Sequence, residues 1–192
     1  QLMLGMKAPD SGIMTLNGIP FDEISPDRWA RVGHLIEYPL AYSELTVRQN
    51  LMLSARLRGL APDRAKSASA AIIDKLNLGK FGERRTGELS LGNRQRVGLA
   101  SALQHEPDLI ILDEPTNALD PSGIILLRNV LLDRAADGAS ILVSSHHLDE
   151  VSRIADCITV INGGRIIGTL QPGQPEIERA FFSLVQTHSE AA

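Results

Sequence analysis

The chain has 192 residues, 43% hydrophobic and 22% charged, enough for one domain with a real core and typical of globular proteins. Its 19 Lys and Arg against 23 Asp and Glu leave a net charge of -4, so the broad basic face of a general nucleic-acid binder is not expected. A single cysteine, Cys157, excludes an internal disulfide, and no apolar run reaches the roughly 18 residues that a membrane-spanning helix needs.

Gln1 to Met6 read as the end of an amphipathic helix, followed by a turn at Pro9-Asp10-Ser11-Gly12. Ile13 to Leu16 read as a short strand closed by Asn17-Gly18, and Val32 to Ile36 as a second strand. From about Val47 to Leu78 the pattern is helical, broken at Gly59 to Pro62, with Asp63 placed to cap the next helix. From Glu88 onward helices alternate with short apolar strands. Val97 to Gln104, Ser122 to Ala136, Leu148 to Ala155 and Glu176 to Gln186 read as helices. Leu109 to Leu112 and Ile141 to Val143 are continuous apolar strands, as in a parallel sheet covered on both faces. Ile158 to Ile161 and Arg165 to Thr169 flank Asn162-Gly163-Gly164 and read as a hairpin. The alternation predicts an α/β core carrying a helical insertion.

Two segments carry chemistry. Leu109-Ile110-Ile111-Leu112 runs into Asp113 and Glu114, which puts two carboxylates at the carboxyl end of the sheet, where open α/β folds bind ligands. Asp113 could hold Mg²⁺ and Glu114 could polarise a water for attack on phosphate. A strand ending in a solvated turn would also have this pattern. In Leu89-Ser90-Leu91-Gly92-Asn93, Ser90 is placed to cap a helix whose first amides would face outward and attract an anion. Taken alone, an ordinary capped helix explains it as well.

Taken together with their neighbours, these segments resemble the ATP-binding cassette (ABC) ATPase family. Leu89 to Asn93 is similar to the family signature, usually LSGGQ, and Leu109 to Glu114 to its Walker B strand. Asn117-Ala118-Leu119-Asp120 resembles the D-loop, Ser144-Ser145-His146 the strand end that carries the switch histidine, and Glu37-Tyr38-Pro39 the Q-loop. The resemblance covers essentially the whole chain. It implies a P-loop NTPase-like fold, mostly parallel with helices on both faces. Residues 1–192 would form a partial nucleotide-binding domain, with a helical subdomain over about 47–104.

The family pattern also implies roles. Two cassettes would face each other head to tail around two ATP molecules, as a pair of identical chains or with a second cassette. Glu114 and His146 would be catalytic. Ser90, Gly92 and Asn93 would contact nucleotide held by the partner, and Asp120 would lie at the dimer seam. Asp113 and Glu37 would serve Mg²⁺, with Glu37 also in the nucleotide site. His147 adjoins His146, which is favoured because it directly follows Ser144-Ser145.

Three departures accompany the match. Position 37 is Glu where Gln is usual. Leu91 and Asn93 replace the common Gly and Gln. Both features resemble a subgroup that exports antibiotics, peptides or lipids. Third, no G-x-x-x-x-G-K-[S/T] occurs, and Gly5-Met6-Lys7-Ala8 lacks both the upstream glycine and the hydroxyl residue. The chain is therefore expected to be an N-terminally truncated cassette, inactive alone, with its phosphate loop upstream of Gln1. A subunit that never had the loop is the alternative. The function implied is ATP hydrolysis powering a membrane permease, on the cytoplasmic face of the membrane. A catalytically inert fragment and a non-transport cassette protein acting on ribosomes or DNA are the competing readings.

Overall fold

The structure, a computed structural model, describes residues 1–190. The chain divides into two compact units, Gln1–Leu142 and Val143–Ala192.

In the first unit, the helix expected at the start is only a 3-10 turn, Leu2–Leu4, closed by Gly5 at φ 66. None of its residues is buried, and so short a segment gains nothing from tertiary packing to offset helix nucleation. The expected strand over 13–16 shrinks to β1 (Thr15–Leu16), which pairs antiparallel with β2 (Ile19–Pro20). Asn17 (φ 51) and Gly18 (φ 78) form the turn between them, as a two-residue hairpin requires. After a single helical turn, α1 (Pro26–Trp29), the chain enters β3 (Val32–Leu35).

Two long helices follow. The helix α2 (Val47–Leu57) opens on a reciprocal cap. Thr46 Oγ1 accepts from the Gln49 amide at 3.2 Å, and Gln49 Oε1 accepts from the Thr46 amide at 2.9 Å. It stops before Gly59, whose φ is 86. Pro62 then starts α3 (Pro62–Lys75) from the first helical position. Asp63 is not its cap. Ala61 holds that position without a side-chain bond, because the proline itself sets the helical start, and Asp63 sits in the first turn where the helix dipole favours its charge. A third helix, α4 (Leu91–Leu103), begins six residues before the sequence pattern suggests. Gln95 and Arg96 are buried in it, so its inner face is partly polar and the apolar period is masked.

These helices share one core with the sheet. Leu51, Ile73, Leu99 and Leu103 are almost wholly buried, each contributing about 2 kcal/mol through apolar area removed from water. The strand β4 (Leu109–Asp113) lies parallel to β3, pairing Val32 with Leu109 and Leu35 with Leu112. At Gly33 a Cβ would overlap the Ala102 carbonyl and Pro107, so glycine lets α4 lie close on the strand. The helix α5 (Pro121–Ala136) leads to β5 (Ser140–Ser144), and the sheet order is β3-β4-β5.

In the second unit, α6 (Leu148–Val151) is shorter than the eight residues expected, and residues 152–154 form turns. The hairpin is as expected: β6 (Ile158–Asn162) pairs antiparallel with β7 (Arg165–Leu170), with a register shift between Val160 and Ile161. The last helix, α7 (Ile177–Glu190), packs Phe181 and Leu184 against Ile158, Val160 and Leu170.

The loop joining α4 to β4 holds a feature with a measurable consequence. The His105 imidazole is pushed down to about 3, first by burial and then by the Arg58 charge, with His34 and Arg134 adding to it against a partial offset from the Val32 backbone. The unfolded chain, with an ordinary histidine near 6.5, then binds more protons than the folded one between about pH 6.5 and 3. Stability is complete above that window and falls as the medium is acidified through it, by up to about 1.4 kcal/mol per pH unit for one group. Urea unfolding should show this loss between about pH 7 and 5, before most carboxylates titrate. His105→Gln should flatten the slope, and an unchanged slope would refute the assignment.

Candidate functional site

The carboxyl edge of the parallel pair gathers the acids. Register pairs Leu35 with Leu112, so the segment leaving β3 through Glu37 and the one leaving β4 through Asp113 and Glu114 emerge on the same edge. Asp113 and Glu37 are exposed and Glu114 is half-buried. Glu37 accepts a hydrogen bond from Gln1 Nε2. Glu37 (φ 60), Glu114 (φ 47) and Ala118 (φ 64) are all left-handed, a conformation that costs a side chain of this kind about 1 kcal/mol or more. Such residues persist where the surroundings over-determine them, and they concentrate at functional sites.

Oxygen ligands at a sheet edge suit Mg²⁺. Among the described residues, no three His, Cys, Asp or Glu side chains converge as a complete metal cage. A cation here would complete its shell with water and phosphate oxygens, the usual habit of Mg²⁺.

The start of α4 abuts this edge. Ser90 caps the helix, its hydroxyl accepting from the Asn93 amide at 3.3 Å. The first helical amides, those of Leu91 and Gly92, have no acceptor within the helix, and Leu91 is exposed. A Cβ on Gly92 would overlap the Ala118 carbonyl, so only glycine lets the helix start lie against the loop after β4. One turn on, Gln95 donates to the Pro115 carbonyl at 3.3 Å. Arg96 pairs with Asp120. Asp120 in turn caps α5, accepting from the Gly123 amide at 3.0 Å and from the Ser122 hydroxyl at 2.9 Å. Those two donors and Arg96 hold its carboxyl below the usual range.

The sites expected from sequence thus divide in two. Ser90, Gly92, Asn93, Asp120, Asp113, Glu114 and Glu37 belong to the first unit, with the α4 start joined to the 114–120 loop. His146 belongs to the second unit, between β5 and α6, where its exposed ring stands 4.0 Å from that of His147.

Sequence reasoning missed the residues that hold the first group together. Gln95 and Arg96 are polar side chains buried in a helix, and the only trace they leave is the interruption of an apolar period. Asn50 is a second case. Buried in α2, it accepts from the Tyr42 amide at 2.7 Å, and its Nδ2 reaches the carbonyls of Tyr42 (3.0 Å), Leu45 (3.2 Å) and Thr46 (3.1 Å). Thr86 adds a 2.7 Å bond to the same Tyr42 carbonyl.

Comparison with known proteins gives the chain's family and fold. The family described as ABC transporter matches residues 1–117. The bacitracin transport ATP-binding protein BcrA of Enterococcus faecalis is 38% identical over 168 residues, 87% of this chain and 54% of that protein. The lantibiotic transport ATP-binding protein SrtF of Streptococcus pyogenes is 35% identical over 167 residues, 87% of this chain and 70% of that protein. The chain spans about half the length of the first of these relatives. A solved structure described as the ATP-binding subunit of an ABC transporter superposes with a TM-score of 0.85 at 25% identity, covering 96% of this chain and 80% of that one.

Proposed function

The chain belongs to the ABC transporter family, and from that premise we propose that it is the part of an ATP-hydrolysing subunit that supplies the attacking water, the metal ligands and the signature turn for export across a membrane. The observation that carries this reading is the junction of the acid-bearing edge with a capped, anion-facing helix start, through Gly92 against Ala118 and Gln95 against Pro115. Phosphoryl transfer needs both an oriented water beside a metal and fixed donors for the phosphate charge.

In this reading Glu114 polarises the attacking water and Asp113 holds Mg²⁺, with Glu37 reaching its outer shell. The Ser90 hydroxyl, the Gly92 amide and the Asn93 side chain face the γ-phosphate of an ATP bound by a second cassette packed head to tail. Asp120 lies at that seam and His146 steadies the γ-phosphate of the chain's own site. Mg²⁺ held by Asp113, with Glu37 in its outer shell, would supply charge neutralisation when bound. Residues 1–192 act as one partial nucleotide-binding domain, with the helices of about 47–104 as its helical subdomain.

No described helix is long and apolar enough to cross a membrane, and the transport relatives point to a membrane-spanning partner. Tyr38, Leu40 and Tyr42, which follow Glu37 along the chain, are 80%, 87% and 60% exposed, and such side chains suit contact with a permease segment. The protein would then sit on the cytoplasmic face of the membrane through that contact. The subgroup likeness, with relatives named for bacitracin and lantibiotic transport, supports export. Purified full-length protein is expected to release phosphate from ATP only with Mg²⁺ present, and to co-purify with a membrane-spanning protein from detergent extracts. A full-length protein that neither binds nor hydrolyses ATP overturns the reading.

A further inference from the structure

We infer that Arg96 is a positioning residue for the reaction: by holding Asp120 it fixes the loop that carries Glu114 to the helix that carries Ser90. The inference rests on the function proposed above and adds a residue to it. Only 11% of the Arg96 side-chain surface is exposed, and its guanidinium pairs with Asp120. Burying a guanidinium costs far more than leaving it in water unless a partner compensates, and an aliphatic side chain would fill an ordinary helix interior without that cost.

The surroundings are built to this pair. A Cβ on Gly123 would meet Asp120 Oδ1 at 2.9 Å and Arg96 Nε and Nη2 at 3.0 Å, so glycine at this position lets the pair pack closely against the first turn of α5. Asp120 Oδ1 accepts from Arg96 and from the Gly123 amide together. The 114–120 loop is pinned at both ends, by Gln95 on Pro115 and by Arg96 on Asp120. Between those pins lies Ala118, in left-handed conformation and against Gly92. Glu114, also left-handed, stands just before the first pin. Strained residues hold only while their supports do. Releasing Asp120 frees the loop to relax and moves the Glu114 carboxylate from the reacting water.

The consequence is kinetic. A misplacement of about 1 Å in a reacting group can cost on the order of 10²-fold, while nucleotide affinity does not depend on this pin. The test is a double-mutant cycle in the full-length protein. Arg96→Met keeps the apolar stem and removes the charge. Asp120→Asn keeps a good helix cap and removes the counter-charge. Each single change should lower kcat by at least about tenfold with KM for ATP within about threefold. The double variant should be no slower than Arg96→Met, because both changes cut one link, and Arg96→Lys should recover part of the loss. Additive effects on kcat in an active wild-type protein would overturn the inference and leave the ATPase reading intact. A wild-type protein without turnover would overturn both. Should Arg96→Met fail to fold, Asp120→Asn and Arg96→Lys decide it: wild-type kcat in Asp120→Asn refutes the link, and loss in Asp120→Asn with a milder loss in Arg96→Lys supports it.

Discussion

Glu114→Gln in the full-length protein is expected to lower ATP turnover by about 10²- to 10⁴-fold, the usual contribution of a positioned general base. The substitution keeps the size and shape of a side chain that is half-buried at the end of β4, and position 114 is already held at φ 47, so the backbone has no new strain to absorb. What disappears is the proton-accepting oxygen. An amide can still hydrogen-bond the attacking water but cannot take its proton. ATP binding should therefore survive, and the protein should accumulate as an ATP-bound dimer. Phosphate release measured beside nucleotide binding separates the two effects. Undiminished hydrolysis would show that Glu114 is not the base.

Ser90→Arg is expected to abolish ATP-driven dimerisation while leaving nucleotide binding by the single subunit largely intact. Ser90 caps α4 from an exposed position, and the amides that follow point away from their own helix. On the proposed reading they serve an anion brought by another molecule. A guanidinium there fills the space of the phosphate, and loss of the cap costs about 1 kcal/mol besides. Mixed dimers locate the site. When one subunit carries Ser90→Arg and the other Glu114→Gln, a site shared between subunits places both lesions together and leaves the second site whole. If each subunit builds its own site, neither site is intact. Turnover near half that of wild type supports the shared arrangement, and turnover no greater than that of the Glu114→Gln dimer sinks it.

The parts legible from sequence were those fixed by short-range chemistry. An apolar run ending in Asp113-Glu114, a serine before a helix and Asn162-Gly163-Gly164 between two strands each declare a local structure, and the structure has all three. The apolar pattern of α4 starts only at Val97, six residues into the helix that Ser90 caps, because Gln95 and Arg96 look solvent-facing until their partners Pro115 and Asp120 are known, 20 and 24 residues away. Asp63 drew the role of cap because its type suits one, yet Pro62 had already set the helical start. Glu37, Glu114 and Ala118 carry no sequence sign of left-handed backbone, since none is a glycine or an asparagine. Long-range polar contacts and backbone strain are properties of the assembled fold, and composition does not encode them locally.

Asn50 has a consequence for how this surface can change over generations. It grips the segment around Tyr42 by main-chain atoms, through the amide and carbonyl of Tyr42 and the carbonyls of Leu45 and Thr46. Main-chain groups are the same whatever residue carries them. The identities at Leu40 and Tyr42, whose side chains are exposed, are therefore nearly free of the demands of folding. One buried amide fastens the loop, and the loop's outward side chains can be rewritten to suit a different neighbour without the frame being rebuilt.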